Sequence, residues 1–266
     1  MSEELPNPRA GMRTREAHDS NPPGAGECHL WWWRLADVRP WLPDLIGMLS
    51  SQELESVRSL RRSVDRDRSI ASRALLRITL AGYLERSPRE LTIVRSCGRC
   101  GQPHGKPRLL SPPADAIQFS VAHAADRLVM AFTIDDAVGV DVEEASKDFP
   151  VEEIAPEVLT PVELAAFSTL PPDARRTAFF VSWTRKEAVV KATGHGLAVP
   201  LCSFEVSAAH EPASLRSWPP DPRLDGQVCL RDLDAGSGYA AALATIGRPC
   251  DHLSVRDGRM LLGLSG

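Results

Sequence analysis

Asp141 and Glu143 lie two residues apart in the stretch Val138-Gly139-Val140-Asp141-Val142-Glu143. Alternation along a strand sends Val138, Val140 and Val142 to one face and Gly139, Asp141 and Glu143 to the other. Two such charges about 5 Å apart repel by roughly 3 kcal/mol at an effective dielectric near 20, so a partly shielded pair calls for a cation between them. The ligands are hard oxygens, and Gly139 is expected to leave open space beside them. Both features suit Mg²⁺ that keeps some of its waters. Taken alone, the pair is more simply a solubilising face of an edge strand.

A third carboxylate changes that balance. Helical spacing in residues 179–191 puts Phe180, Trp183, Glu187, Val190 and Lys191 on neighbouring positions of one face. A carboxylate on an apolar stripe must be paired, protonated or bound to metal. A wet Glu187–Lys191 pair, worth about 0.3–0.5 kcal/mol, explains the charges but not their apolar company. Elsewhere Arg58, Arg61, Arg62, Arg66, Arg68, Arg73 and Arg77 face only Asp65 and Asp67. That density points to an anion nearby, the alternative being a solvated helix face with a few ion pairs.

The chain has 266 residues, 43% of them hydrophobic, enough for one large domain or two modest ones. A net charge of −4 excludes a globally basic protein. The longest apolar runs, 128–134 and 239–246, fall far short of the roughly 20 residues a membrane span needs, and no secretion signal is evident. Six irregularly spaced cysteines read as reduced thiols. These features lead us to expect a cytoplasmic protein. A zinc site at Cys97, Cys100 and His104 is disfavoured because no second cysteine pair follows at finger or ribbon spacing.

Residues 1–27, rich in Pro, Gly and charge, read as a disordered tail. A strand is expected over 29–35, its three tryptophans packing groups. One helix is expected over 51–84, opened by Ser51. Strands follow at 91–95, 119–123 and 127–134, with a loop over 96–113. Asp135-Asp136-Ala137 is expected to turn the chain into 138–143 as a hairpin. Helices over 151–159, 161–167 and 173–193 precede strands at 203–206, 227–230 and 239–246, with 212–222 a loop. The mixture is α+β, with two subdomains of similar size.

Gly139-Val140-Asp141-Val142-Glu143, followed about forty residues on by Trp183-Thr184-Arg185-Lys186-Glu187-Ala188-Val189-Val190-Lys191, resembles the paired signature of the 4'-phosphopantetheinyl transferases. Gly105-Lys106-Pro107 and Phe119-Ser120-Val121-Ala122-His123 lie upstream in the order of the monomeric, Sfp-type branch. The similarity spans residues 50–200. It implies that family's fold, two α/β subdomains related by a pseudo-twofold axis. The first, 28–137, would contact the coenzyme A phosphates and adenine, and the second, 138–266, would hold the metal ligands and catalytic helix.

The resemblance implies Mg²⁺-dependent transfer of 4'-phosphopantetheine from coenzyme A to a serine of apo acyl or peptidyl carrier proteins. Adenosine 3',5'-bisphosphate would leave, as in holo-acyl-carrier-protein synthases serving fatty acid, polyketide or nonribosomal peptide assembly. Asp141, Glu143 and Glu187 match the metal ligands. Glu187, or a water it orients, matches the base, Lys191 a pyrophosphate contact, and His123 a phosphate contact. Arg62 and Arg73 are the candidates for the 3'-phosphate, with Arg58, Arg61 or Arg66 as substitutes. Gly105, Lys106 and Pro107 resemble the loop at the adenine end. Ala122 and Ala124 replace serines common in that branch. A monomer with neither nucleic-acid nor membrane partners is expected. The alternatives are a non-catalytic coenzyme A or carrier-binding module of the same fold, and a nucleic-acid binder using the arginine-rich helix.

Overall fold

The computed structural model describes residues 21–95, 105–110, 117–224, 226–248 and 252–263. Cys97, Cys100, His104 and residues 1–20 of the expected tail lie outside the described residues. Four layers stack as helix, sheet, sheet, helix. The first sheet comprises β1 (Glu27–Arg34), β4 (Ile117–Ala124), β5 (Arg127–Ile134) and β11 (His252–Asp257), in the order β11-β1-β5-β4. One of its faces packs on helix α4 (Ser63–Leu84), burying Trp31, Trp33, Phe119 and Phe132 with Leu75 and Leu76. The tryptophans are thus packing groups, as expected.

The second sheet holds β6 (Ala137–Glu144), β9 (Val228–Asp232) and β10 (Tyr239–Ile246), in the order β6-β10-β9. Val138, Val140 and Val142 face the first sheet, meeting Ala122, Val129 and Ala131. The opposite face packs on helix α7 (Pro172–Thr193) through Ala188, Val189 and Ala192 against Ala242 and Ala244. Period-2 alternation therefore operates as expected. Around this frame lie short helices α1 (Leu35–Val38) and α2 (Leu42–Leu45), helices α3 (Ser51–Arg58), α5 (Val151–Val158) and α6 (Pro161–Ser168), and two-stranded ribbons. The ribbons pair β2 (Ile93–Val94) with β3 (Arg108–Leu109) and β7 (Glu205–Val206) with β8 (Leu215–Ser217).

Several expectations are corrected. β5 and β6 are not a hairpin. Asp135, at φ +63°, and Asp136 do turn the chain, but β6 leaves the first sheet and pairs antiparallel with β10. The single helix over 51–84 is two, α3 and α4, and the N-cap is Ser50, whose hydroxyl accepts from Glu53 N in a capping box. At the break Arg62 is extended (φ −85°, ψ 139°), and the Arg66 guanidinium donates to the carbonyls of Leu60 and Arg61 at 3.0 Å. Leu54, Val57 and Val64 keep facing one core across the break, which is why the periodicity runs through it. β8 lies within the expected loop 212–222, and β3 within 96–113. β11 returns from the chain's end to pair parallel with β1.

Gly139 is expected to leave open space; instead α7 fills it. A Cβ there would stand 2.0 Å from Ala188 O and 2.4 Å from Ala192 N. Both obstructing atoms are helix backbone, so neither can swing aside. Gly139→Ala is therefore expected to push α7 off β6 and destabilise the fold by at least about 2 kcal/mol. Urea unfolding checks this, and an unchanged midpoint would contradict the packing.

Candidate active site

β4 and β6 are edge strands of their respective sheets. A cleft opens along these two edges, between α4 and α7, and each element supplies polar groups to it. α4 contributes Ser69, Ser72 and Arg73, and β4 contributes His123. β6 contributes Asp141 and Glu143, and α7 contributes Trp183, Glu187 and Lys191. Arg95 and Pro107 come from the segments flanking the β2–β3 ribbon.

The acidic wall follows from the contact at Gly139. Because α7 lies on β6, Lys191 Nζ reaches Asp141 Oδ1 at 2.6 Å. Asp141 is 3% exposed, and its Oδ2 is buried with no hydrogen-bond partner among the described residues. Loss of solvent raises the Asp141 carboxyl, opposed by the Lys191 ammonium. Loss of solvent, then repulsion from Asp141 and Glu187, lifts Glu143 to about 7. Glu187 is raised by burial and then by Asp141. Burial opposes the charge on Lys191, but Asp141, Glu187 and Glu143 together outweigh it and raise its pKa. Three carboxylates thus share one ammonium, and their ionised forms are incompletely compensated.

The opposite wall is cationic. Arg73 is lowered by burial; its guanidinium donates to Ser56 Oγ at 2.8 Å and to Ser69 Oγ. Burial and then the nearby Arg73 bring Arg95 down to about 10. For His123, loss of solvent in the cleft and then the cations Arg68, Lys191 and Arg95 push the ring down to about 4. The residue keeps contact with water at the cleft mouth, and its imidazole is neutral at physiological pH. An anion arriving here would relieve the repulsion between the guanidinium groups.

The structure brings together Asp141, Glu143, Glu187, Lys191, His123, Arg73 and Pro107 of the sequence candidates. It does not bring Arg62, Gly105 or Lys106 to the cleft lining. Arg62 is exposed at the start of α4, Arg58 and Arg61 are exposed, and Arg66 is spent on the helix break. Arg77 is a buried strut, held by Glu53 at 2.9 Å and by the Pro88 and Leu91 carbonyls. Sequence reasoning missed Arg95, which follows the short strand β2 and carries no distinguishing signal there. It also missed Ser69 and Ser72, although their spacing of four and one residues before Arg73 on α4 was readable. Ala122 lines the cleft without a hydroxyl and Ala124 packs in the inter-sheet core, so the cleft's described hydroxyls, Ser69 and Ser72, come from α4.

Among the described residues no group of three His, Cys, Asp or Glu is arranged to hold a metal ion by itself. Mg²⁺ does not require one. It is commonly held by one or two carboxylates, with substrate phosphates and water completing its shell. All-oxygen donors, an excess of negative charge and the orphaned Asp141 Oδ2 fit such an ion chemically.

Two neighbours of Glu187 face away from the cleft and anchor its helix. Arg185, fully buried, holds Asp232 at 2.6 and 2.8 Å and donates to the carbonyls of Ser207, Ala208 and Glu211. Lys186, equally buried, donates to Glu163 at 2.5 Å and to the carbonyls of Val158, Leu201 and Phe204 at 2.8 Å. Lys186→Met is expected to cost about 3 kcal/mol by leaving the Glu163 carboxylate without its cation. Thermal and urea unfolding check this, and an unaltered stability would show that the ammonium is not an anchor.

A family model described as the 4'-phosphopantetheinyl transferase superfamily matches residues 137–244, from the start of β6 to within β10. The 4'-phosphopantetheinyl transferase HetI of Nostoc sp. is 31% identical over 195 residues, covering 73% of this chain and 79% of that protein. A 4'-phosphopantetheinyl transferase of Bacillus subtilis is 24% identical over 206 residues, with 73% and 87% covered. The 4'-phosphopantetheinyl transferase Sfp of Bacillus subtilis strain 168 is 22% identical over 202 residues, with 71% and 85% covered.

Proposed function

Because the chain belongs to the 4'-phosphopantetheinyl transferase superfamily, in its Sfp-type branch, we propose that it transfers the 4'-phosphopantetheine arm of coenzyme A to a serine of an apo acyl or peptidyl carrier protein. The observation that carries this reading is the two-signed cleft, with Asp141, Glu143, Glu187 and Lys191 facing Arg73, Arg95 and His123. A phosphorylated ligand meets its charge on one side and a place for a divalent ion on the other.

Arg73 and Arg95 are the candidates for the 3'-phosphate, aided by Ser69 and Ser72; planar guanidinium groups match its oxygens. His123 takes up a phosphate as hydrogen-bond donor. Asp141, Glu143 and Glu187 are the candidate ligands of Mg²⁺, which when bound would neutralise charge on the pyrophosphate. The carrier serine oxygen forms a bond to the phosphorus that bears pantetheine, and the bond from that phosphorus to the bridging oxygen breaks. The serine proton goes to Glu187 directly or through water; burial raises this carboxyl and so makes its ionised form a stronger base. The electron pair leaves with adenosine 3',5'-bisphosphate, whose new charge Lys191 stabilises.

The helix-sheet-sheet-helix layering supports reading 28–137 and 138–266 as two subdomains about a pseudo-twofold axis, β11 being an exchange across it. Both subdomains contribute to the cleft, which supports a monomer; its carriers would be domains of fatty acid, polyketide or nonribosomal peptide synthases, met in the cytoplasm. No helix among the described residues is long and apolar enough to cross a membrane.

The direct test mixes purified protein, coenzyme A, Mg²⁺ and several apo carriers. The expected result is a carrier heavier by one phosphopantetheine in the mass spectrum, and unmodified carriers throughout would overturn the reading. Glu187→Gln is expected to slow transfer at least about a hundredfold while leaving the melting temperature in place; near-normal turnover would remove Glu187 from its role. Arg73→Ala is expected to weaken coenzyme A about tenfold more than its 3'-dephospho form in calorimetry. Equal losses for the two ligands would place the 3'-phosphate elsewhere.

A further inference from the structure

Lys106 lies beside the cleft but points away from it. Its Nζ donates to Val138 O at 2.8 Å. Two residues along the same strand, Val140 N donates to the hydroxyl of Ser120 at 3.0 Å, and Ser120 is 2% exposed. β6 is an edge strand, so these backbone groups are met by side chains of the first half of the chain instead of by another strand. Ser120 sits on β4 three residues before His123, and Val138 sits on β6 three residues before Asp141. At the far end of the contact Arg127 of β5 donates to Ala235 O at 3.0 Å and lies over the ring of Tyr239 on β10; between that end and the links at β6 the two sheets meet through apolar groups such as Cys28, Ala122, Val129, Val140 and Leu243. Apolar packing resists separation but specifies position along a strand weakly, whereas a hydrogen bond to a defined backbone atom fixes it.

We propose that Ser120 and Lys106 are positioning residues that lock β6 against β4, setting the offset between the acidic wall at Asp141 and Glu143 and the phosphate wall at His123 and Arg73. Lys106 thereby acts through Val138 and does not contact coenzyme A. Burial holds the Lys106 ammonium down at about 8, in keeping with an amine turned into the protein. The inference rests on the transferase reading for its effect on turnover, but not for its structural content.

The test compares the wild type with Ser120→Ala and Lys106→Met in three measurements. Hydrogen exchange at the β6 amides is read without ligand, coenzyme A binding is read by calorimetry without carrier, and turnover is read with carrier and Mg²⁺. Both variants are expected to speed β6 exchange about tenfold, as loss of one buried hydrogen bond would. Coenzyme A affinity should stay within about twofold, and turnover should fall about tenfold. Lys106→Arg, which keeps a cationic donor, should recover part of the loss. Unchanged β6 exchange in both variants overturns the proposal. So does a tenfold loss of coenzyme A affinity in Lys106→Met with β6 protection intact, which would make Lys106 a ligand contact. Exchange needs no transfer activity, so failure of the lock and failure of the transferase reading give different results. Should Ser120→Ala fail to fold, the half-buried Lys106 still decides the matter.

Discussion

Where a side chain at position 139 would extend, the backbone of α7 already lies, with Ala188 O and Ala192 N inside the volume of a Cβ. That approach sets the distance from which every other group of the acidic wall works. With α7 this close, Lys191 spans to Asp141 at 2.6 Å and Glu187 faces the same cleft as Glu143. Any larger residue at 139 would hold the helix outward and open the cluster to water, where the same charges would interact several times more weakly.

Closeness has an electrostatic cost, and the surrounding structure bears it. Three carboxylates with one ammonium would relax apart if their helix could rotate or slide. Arg185 and Lys186 oppose this from the far side of α7. They tie it to Asp232, to Glu163 and to a series of backbone carbonyls. Consecutive residues of one motif thus divide the work, two anchoring the helix and the next facing the cleft. Ionisable groups held away from their ordinary behaviour by burial and by like charge are a common mark of sites that do chemistry. Here they meet a cationic wall built on the other half of the chain.

The core of the site was legible in the sequence because two short-range periodicities determine it. Alternation along β6 put Asp141 and Glu143 on the face away from three valines, and helical spacing put Glu187 and Lys191 beside Trp183. Neither rule reports which elements meet. The turn at Asp135 and Asp136 looks local, yet the pairing partner of β6 is β10, about a hundred residues later, and β11 pairs with β1 from the opposite end of the chain. Gly139 read as empty space for the same reason, since its neighbour is distant in sequence. The arginine-rich segment was legible as cationic but not in its division of labour. Arg66, Arg73 and Arg77 go respectively to a helix break, the cleft and a buried ion pair, according to which carbonyl, hydroxyl or carboxylate lies opposite.

In the proposed mechanism the orphaned oxygen of Asp141 and its two companion acids receive a divalent ion beside a bound pyrophosphate. A crystal structure with coenzyme A and Mn²⁺ in place of Mg²⁺ measures this directly through the anomalous scattering of the metal. The result expected is a single strong peak in the cleft, within about 2.2 Å of oxygens from Asp141 and Glu143 or Glu187 and from the pyrophosphate. A peak elsewhere, or coenzyme A bound with its pyrophosphate away from these carboxylates, would contradict it.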